Sequence, residues 1–539
     1  MQSLRGGEIK NWLLGGVWQS GEFEVTALKA DVENLAVDAF ENNPGISDLS
    51  ATALYRDGTG YLSLDNQDIN LSLPALFDKP LPVINTDGVV KVLMNKAGTN
   101  TGTSGVLWKV VGEDLRVATS DLNTSTTFSL LASTGGQRLF DLHTNILSAN
   151  LANSRDYLPV RVMSPTLYNW LQTSIETGDI VRGRVELKGD IGNYDPAKGV
   201  GHFYAEADIV DAQLKFLSDW PSADDMDGNI SFTANTMRGQ VYKGQLRQAK
   251  FSDARVFIRE LKQPVLELQT NAIGPVADML DFAQTGPLAP KIGSLFGDAS
   301  GNGTSRLSLD VKIPLNDKVN AELTVDGEVR LDNAQLAAKA FGIDIESATG
   351  NVLFSRDGVL ADDLQVRYQG LPLAVKATRI ADPEGSNDIV NRLSVSGPVA
   401  LSSVMNSYGI PLVEQFEGTS NWDVDVDVKR RPGKSPQVKF TANSDLSGTQ
   451  IKLPAPLYKA ANTLKEVSVS RDFSDGAEDW WVEMPGLIKA RVRATEDKKL
   501  ESMAVAIGRS NNTVLPLRGI ALHGDAQRVD AMGLSLIHI

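Results

Sequence analysis

The sequence predicts a mainly β protein: an elongated, strongly curved antiparallel β-sheet of repeated units that forms an apolar groove, with a few short amphipathic helices. Three observations lead to this prediction. Apolar and polar residues alternate along many segments, helical segments are few and short, and both recur along the chain at a nearly constant distance. Together they indicate a sheet with one apolar face that a small number of helices cannot cover.

The composition excludes several classes of function. The chain has 539 residues, no cysteine, 4 histidines and a formal net charge of −15. Without cysteine it cannot form disulfides, thiolate metal sites or a Cys nucleophile. The negative charge predicts that nucleic acid is not a partner, because phosphate binding requires a basic surface. Hydrophobic residues make up 42% of the chain, which is sufficient material for a folded core.

Alternation with a period of two predicts strands with one apolar and one wet face. Residues 422–429 are the clearest case, since Trp and Val alternate with Asp. Asp423, Asp425 and Asp427 are predicted to form a solvated face, because they lie about 7 Å apart along the strand, too far to share one ion. The apolar residues that we predict to line the groove are Val185, Leu187, Ile230, Phe232, Leu307, Leu309, Val311, Val352, Phe354, Trp422, Val424, Val426 and Val428.

Three short helices are predicted. The first begins with Ser164 as the N-cap and lies near residues 165–177, with Trp170 on its apolar stripe. The second follows Gly274-Pro275, and the third lies near residues 398–408. Each helix is amphipathic, so each is expected to lie on an apolar surface.

The same pieces recur along the chain, which indicates a structural repeat. Gly228-Asn-Ile-Ser-Phe232 is similar to Gly350-Asn-Val-Leu-Phe354, at a distance of 350 − 228 = 122 residues. Gly274-Pro-Val is similar to Gly397-Pro-Val, at 397 − 274 = 123. The predicted organisation is an N-terminal β-rich region at 1–156, β-groove repeats at 157–300, 301–415 and 416–533, and a doubtful tail at 534–539.

A sheet with one apolar face must cover that face. One short helix per repeat covers too little of it, so we expect the sheet to curve until its apolar face becomes the inside of a trough. Such a trough would hold something apolar, such as acyl chains. The alternative that the pattern leaves open is a series of ordinary β-sandwich domains.

Sequence motifs for catalysis or metal binding are incomplete. Gly301-Asn-Gly303 lacks the third glycine of a dinucleotide loop, and the segment that ends at Gly228 lacks two ligands of a calcium loop. His143, His202 and His523 lie in separate segments without ligand spacing. We therefore predict no catalytic residue, no metal and no cofactor.

Several motifs resemble those of a known family. The segment Tyr157-Leu-Pro-Val-Arg-Val-Met-Ser-Pro165, the segment Gly183-Arg-Val-Glu-Leu-Lys-Gly189, the pair Trp220-Pro221 and the segment Leu453-Pro-Ala-Pro-Leu457 resemble YhdP-type proteins of the AsmA-like family. The resemblance covers nearly the whole chain, although residues 1–150 match only loosely. It implies a long β-groove that crosses the periplasm and carries phospholipid toward the outer membrane, without catalysis and without a cofactor.

The resemblance also implies partners and a location. Phospholipids, the inner and outer membranes and other envelope proteins are the expected partners, and the groove residues above would contact the lipid. The family has an N-terminal inner-membrane helix, whereas this sequence contains no membrane span. We expect a fragment that begins at an internal methionine and lacks the C-terminal end, from a periplasmic protein anchored in the inner membrane. The alternatives are a structural or scaffolding protein of the bacterial envelope, for outer-membrane assembly or permeability-barrier maintenance without lipid conduction, and an envelope hydrolase.

Overall fold

Strands dominate this protein. In the computed structural model, strands account for 71% and helices for 8% of the chain, which confirms the predicted mainly β class. The fold comprises two compact units, residues 1–272 with 308–324 and residues 273–307 with 325–539. The described residues are 4–19, 21–40, 44–74, 77–94, 106–133, 135–158, 160–161, 165–215, 221–285, 299–315, 319, 321–338, 343–355, 358–381, 389–429, 437–473, 479–495 and 499–525. Ser164 and the tail at 534–539 lie outside these residues.

The first unit contains an antiparallel meander in which each strand pairs with the next one along the chain. Its elements are β1 (Leu4–Gln19), β2 (Glu22–Val37), β3 (Gly45–Arg56), β4 (Thr59–Ser72), β5 (Leu81–Met94), β6 (Val106–Ala118), β7 (Leu122–Ser133), β8 (Arg138–Asn150), α1 (Pro165–Ser174), β9 (Ile175–Asp190), β10 (His202–Leu214), β11 (Ala223–Thr233), β12 (Met237–Leu246) and β13 (Ala249–Ile258). Short 3-10 helices lie at Ser154–Tyr157, Ile191–Asn193 and Pro196–Lys198.

The next segment of the chain contributes residues to both units. Its elements are β14 (Val265–Pro275), α2 (Val276–Thr285), β15 (Ala299–Asn302) and β16 (Thr304–Pro314). The predicted second helix therefore begins directly after Pro275, as the sequence indicates. Gly301 and Gly303, which resemble part of a dinucleotide loop, lie at two adjoining strands with no helix between them.

The second unit repeats the meander. From β17 to β21, and on through β23, β24 and β26 to β29, each strand pairs antiparallel with the next, and β29 pairs parallel with β30. A separate small sheet joins β22 and β25. The elements are β17 (Thr324–Ala338), β18 (Ile343–Ser355), β19 (Gly358–Tyr368), β20 (Leu371–Ala381), β21 (Ile389–Val399), α3 (Leu401–Ser407), a 3-10 helix (Val413–Gln415), β22 (Phe416–Gly418), β23 (Ser420–Lys429), β24 (Gln437–Ser444), β25 (Thr449–Ile451), β26 (Val467–Asp472), β27 (Asp479–Met484), β28 (Ile488–Ala494), β29 (Leu500–Gly508) and β30 (Gly519–Asp525).

Asp211 and Asn333 occupy equivalent β-bulges, at 333 − 211 = 122 residues. Both have left-handed backbones, with φ of 50° and 53°, a conformation that Asp and Asn tolerate better than most residues. The Asp211 N–H donates to Asp227 Oδ1 over 3.1 Å, and the Asn333 N–H donates to Thr349 Oγ1 over 3.0 Å. Because bulges bend and twist a sheet, β10 and β17 bend at points 122 residues apart. The two bulges thus recur at the spacing that the sequence predicts for the repeat.

The same kind of β-bulge also occurs in the N-terminal region, where the sequence shows no evident repeat. Asn34, with φ of 51°, donates its N–H to Ser50 Oγ over 3.3 Å. Asp114, with φ of 49°, donates its N–H to Thr127 Oγ1 over 3.4 Å. These two bulges lie in β2 and β6, so strands before residue 157 are bent in the same manner.

The helices are shorter than predicted. The first ends at Ser174 instead of near residue 177, because β9 begins directly after it. The third begins at Leu401 instead of near residue 398, because Gly397 and Val399 still pair with Trp422 and Ser420 of β23. Residues that the sequence pattern assigns to the ends of these helices therefore belong to paired strands instead.

Candidate functional site

One face of the first unit's sheet is apolar across consecutive strands, and we call it the apolar face. Side chains that lie directly opposite one another in the ladder share a face. From β2 to β10 one such line of opposed residues is Ala30, Ala53, Leu62, Val90, Gly112, Phe128, Leu142, Leu187 and Phe203. From β9 to β13 a neighbouring line is Val185, Ala205, Phe232, Met237 and Ile258. Four predicted groove residues of this unit, in β9 and β11, therefore share the apolar face: Val185, Leu187, Ile230 and Phe232.

The second unit has a corresponding apolar face. From β20 to β30 one line of opposed residues is Val375, Val395, Val424, Ala442, Val469, Val482, Ala490, Val505 and Leu522. Alternation along β23 and β18 places five further predicted residues on this face: Val352, Phe354, Trp422, Val426 and Val428. An uninterrupted line of this length is what an acyl chain requires, because each polar side chain in contact with it would have to give up water.

Leu307, Leu309 and Val311 alternate along β16, with Leu307 in the second unit and the other two in the first. Ile313, which continues this alternation, packs against the cluster around Met237. Leu309 and Val311 therefore belong to the apolar face of the first unit. Val311 is fully buried, so in this conformation it is packing material and not an open wall.

Most of the predicted groove residues are only part-buried. Ile230 and Phe232 pack beside Met237 and Ile258 yet keep some exposure. Trp422 is an exception: it is 6% exposed, lies in the cluster with Leu446, and donates its Nε1–H to Ser420 Oγ over 3.1 Å. The apolar face thus combines closed clusters with stretches that remain accessible.

The opposite face carries charges in cross-strand pairs. Arg184 Nη2 lies 3.2 Å from Glu206 Oε2 in the first unit, and Arg392 Nε lies 2.6 Å from Asp427 Oδ1 in the second. The Tyr204 hydroxyl, followed by Arg184, holds the pKa of Glu206 below its usual range. The sequence predicts a solvated acidic face on β23, and in the structure two of its three aspartates, Asp425 and Asp427, contact Arg392. Because charged residues line one face of the sheet and valines line the other, the charged face is the one exposed to solvent.

The second and third helices pack on the apolar face of the second unit. In α2, Val276 and Leu280 pack against the bulge residue Ala334 and its opposed partner Ala348, both 0% exposed. In α3, Leu401 packs in the cluster around Trp422. The small side chains of Ala334 and Ala348 leave room for α2 to approach the sheet. In the described ranges α2 and α3 therefore pack in two of the clusters, while residues such as Val426 stay part-buried.

A cluster of aromatic residues around a single arginine lies on the second apolar face. We call it the Arg471 cluster; its members are Tyr408, Phe440, Arg471, Phe473 and Trp480. Trp480 meets the rings of Phe440, Tyr408 and Phe473 at centroid distances of 5.2, 6.2 and 6.1 Å. No motif in the sequence predicted this cluster. The sequence feature that could have revealed it is the alternation of residues 467–473, in which Arg471 occupies a position where an apolar residue is expected.

Two other buried charges have structural roles. Lys459 Nζ donates to the carbonyls of Leu446 and Thr449, each over 2.8 Å, and burial lowers its pKa. Asp479 accepts bonds from Arg491 and Arg493 over 2.7 Å each. Burial opposes ionisation of Asp479, but the two arginines outweigh it and lower its pKa. Both charges are satisfied by protein groups, so neither is free to act on a ligand.

The histidines lie at the surface in the described ranges. His143 Nε2 lies 3.1 Å from Asp141 Oδ1, and His202 Nε2 lies 3.5 Å from Glu186 Oε2. Among the residues that the structure describes, no group of three or more His, Asp or Glu side chains could hold a metal ion. In that same part of the chain no helix has the length and apolar character needed to cross a membrane.

Fold and site together define a class: a β-repeat protein with bent, mainly antiparallel sheets, one apolar face in each unit, and short helices at the ends of the strands. The comparison with known families gives a specific result. The model of the family described as YhdP protein matches residues 7–536, so this chain belongs to the YhdP protein family, and the predicted resemblance is confirmed. No curated protein and no solved structure matches the chain.

Proposed function

We propose that this protein is a non-enzymatic carrier of phospholipids, which shields acyl chains against the apolar faces of its sheets. The proposed setting is the periplasm, between the inner and outer membranes, with the full-length protein anchored in the inner membrane. Family membership supports a role in the cell envelope. The lipid, its transport and the location are our proposal.

The observation that carries the proposal is the continuity of the apolar lines across the strands of each unit. A globular domain needs one apolar face per sheet and covers it with a second layer. Among the described residues α2 and α3 pack in the clusters around Ala334 and Trp422, and side chains such as Val426 and Phe232 stay part-buried. Leaving large apolar surface in water is unfavourable by about 25 cal/mol per Å². An acyl chain along the face would remove that cost.

A second candidate is a structural protein of the envelope that carries no lipid. The cluster of the second unit that includes Val366, Leu373 and Val375 supports it, because these side chains are each 8% exposed or less. There the apolar face is filled by the protein's own side chains. A scaffold would need no further occupant.

Bound lipid distinguishes the two candidates. The full chain would be purified without detergent, measured by native mass spectrometry, and then extracted for phospholipid phosphate. We expect several phospholipid molecules per chain, released when the protein is denatured. A protein that is folded and lipid-free, and that takes up no phospholipid from vesicles, would contradict the carrier and leave the scaffold.

A further inference from the structure

Arg471 places a cation on the apolar face of the second unit. Arg471 lies in β26 directly opposite Phe440 of β24. The line that leads to it across β20, β21, β23 and β24 is Ala377, Leu393, Val426 and Phe440. Arg471 therefore shares the face on which we place acyl chains, although its side chain carries a permanent charge.

The guanidinium of Arg471 is held by rings and not by carboxylates. Its Cζ lies 4.3 Å from the ring centroid of Phe473 and 5.3 Å from that of Trp480. Its Nε is buried and has no hydrogen-bond partner among the described residues. In those residues the structure also gives Arg471 no ion pair. The side chain as a whole is part-buried, but leaving a buried guanidinium N–H without an acceptor is costly, so an acceptor from a ligand would stabilise this position.

Three other arginines that stack on rings show the contrast, while a fourth, Arg238, is exposed on the polar face of the first unit. Arg184, Arg259 and Arg491 each lie about 5 Å from an aromatic ring, at 5.0, 4.9 and 5.4 Å. Each of them also contacts a carboxylate within 3.2 Å. Arg471 differs from all three, and it is the one ring-stacked arginine that we find on the apolar face of the described residues.

The neighbour Tyr408 adds a second donor. Its ring lies 6.2 Å from Trp480, and its hydroxyl makes no hydrogen bond within the described residues. Burial raises the pKa of Tyr408 and the nearby Arg471 opposes this shift, so the hydroxyl stays protonated at neutral pH and can donate. A guanidinium fork and a phenol hydroxyl in apolar surroundings match an oxyanion with several acceptor oxygens.

We propose that the Arg471 cluster binds the phosphate of a phospholipid head group, with the acyl chains lying along the neighbouring apolar lines. This inference rests on the proposed function and adds a binding point for the head group. Phosphate supplies the acceptors that Arg471 and Tyr408 lack, and Trp480 and Phe473 form the apolar rim. A free phosphate ester has the same acceptor oxygens but gains nothing from the valine lines, so we assign the site to a lipid.

The test compares three probes on the full chain, freed of lipid: lysophosphatidylglycerol, monoacylglycerol with the same acyl chain, and glycerol phosphate. Titration calorimetry below the micelle concentration gives the affinities. A charge-assisted pair predicts that lysophosphatidylglycerol binds about ten- to a hundredfold more tightly than monoacylglycerol. In Arg471→Gln this preference should vanish while monoacylglycerol binding stays, and Arg471→Lys should retain part of it.

Arg238→Gln is the matched control. Arg238 Cζ lies 5.3 Å from the Phe257 ring, but its side chain is on the polar face of the first unit. This variant should keep the full preference, and circular dichroism should show that all variants are folded.

Four results would overturn the inference. Equal binding of the two acyl probes to the unmodified protein would remove the head-group site and leave the carrier intact, whereas failure of both to bind would contradict the carrier as well. Glycerol phosphate that binds as tightly as lysophosphatidylglycerol would overturn the assignment to a lipid. A preference that survives in Arg471→Gln would place the head group elsewhere.

Discussion

Replacing Val426 by glutamate tests whether the apolar face is an open wall or a closed core. Val426 lies in β23 between Leu393 and Phe440 and is part-buried. In a closed core a lone carboxylate would lose its water, which costs several kcal/mol and would unfold the second unit. On an open wall the carboxylate can remain hydrated when no lipid is bound.

The expected loss follows from the burial of this side chain. Fully burying a valine side chain contributes about 1.5–3 kcal/mol to the free energy of unfolding, and the part-buried Val426 contributes less than that. Replacing a β-branched residue in a strand adds up to about 1 kcal/mol. We therefore expect a loss of about 1–2 kcal/mol, which corresponds to a fall in Tm of roughly 2–8 °C for a unit of this size. Bound lipid should decrease strongly, because an acyl chain cannot pass a charge without dehydrating it.

Thr378→Glu is the control, because it adds the same charge on the polar face. Thr378 lies opposite Arg392, so the new carboxylate would meet a cation and water. Stability and lipid content should change little. Thermal unfolding by circular dichroism and phospholipid phosphate per chain would be measured for both variants. Val426→Glu protein that is folded and still fully loaded with lipid would refute the lipid-binding face, and protein that fails to fold while Thr378→Glu folds would show that the face is closed.

Two further predictions concern the fold. Gly350→Ala should lower the free energy of unfolding by roughly 2–4 kcal/mol, because φ is +142° and a Cβ would lie 2.6 Å from the Asp363 carbonyl oxygen. Gly524→Ala is the control in urea unfolding, because a Cβ there would meet nothing within 4 Å. Equal losses of stability in the two variants would contradict this reason. Stability should also fall in acid, because hydrogen bonds lower the pKa of Asp208 and Glu206 from the ordinary values of 3.8 and 4.5. A carboxylate whose pKa is lowered on folding stabilises the protein at pH values above its pKa in the unfolded chain. That contribution is lost as the pH falls through its pKa in the folded protein. Urea midpoints that stay constant from pH 7 to well below these values would contradict it.

The alternation in the sequence was enough to predict the strands and their faces. A period of two forces Val424, Val426 and Val428 to one side and Asp423, Asp425 and Asp427 to the other, whatever the partner strand is. The repeat was also visible in the sequence, because a bulge needs particular residues at a particular place. The β-rich class and the family could therefore be predicted from the amino-acid sequence alone.

Only part of the candidate site could be predicted from the sequence. The sequence shows that Arg471 follows two valines at apolar positions of β26, but not that Trp480 and Tyr408 approach it, since these residues come from another strand and from the end of a helix. Burial could not be predicted either. Val311 and Trp422 look like Val426 in the alternation, yet both are buried, and Leu446, which packs with Trp422, lies in another segment of the chain.

What the sequence by itself determined is local: the strands, the face of each side chain, the approximate starts of the helices and the spacing of the repeat. The tertiary structure decided where strands prevail over helices, as at Gly397 and Val399, which pair with β23 although Gly-Pro indicates a helix start. It also decided which apolar residues are sealed and which stay open. The physical reason is that side-chain parity follows from the backbone of one strand, whereas ladder pairing and covering contacts depend on residues far apart in the chain, whose positions no local pattern contains.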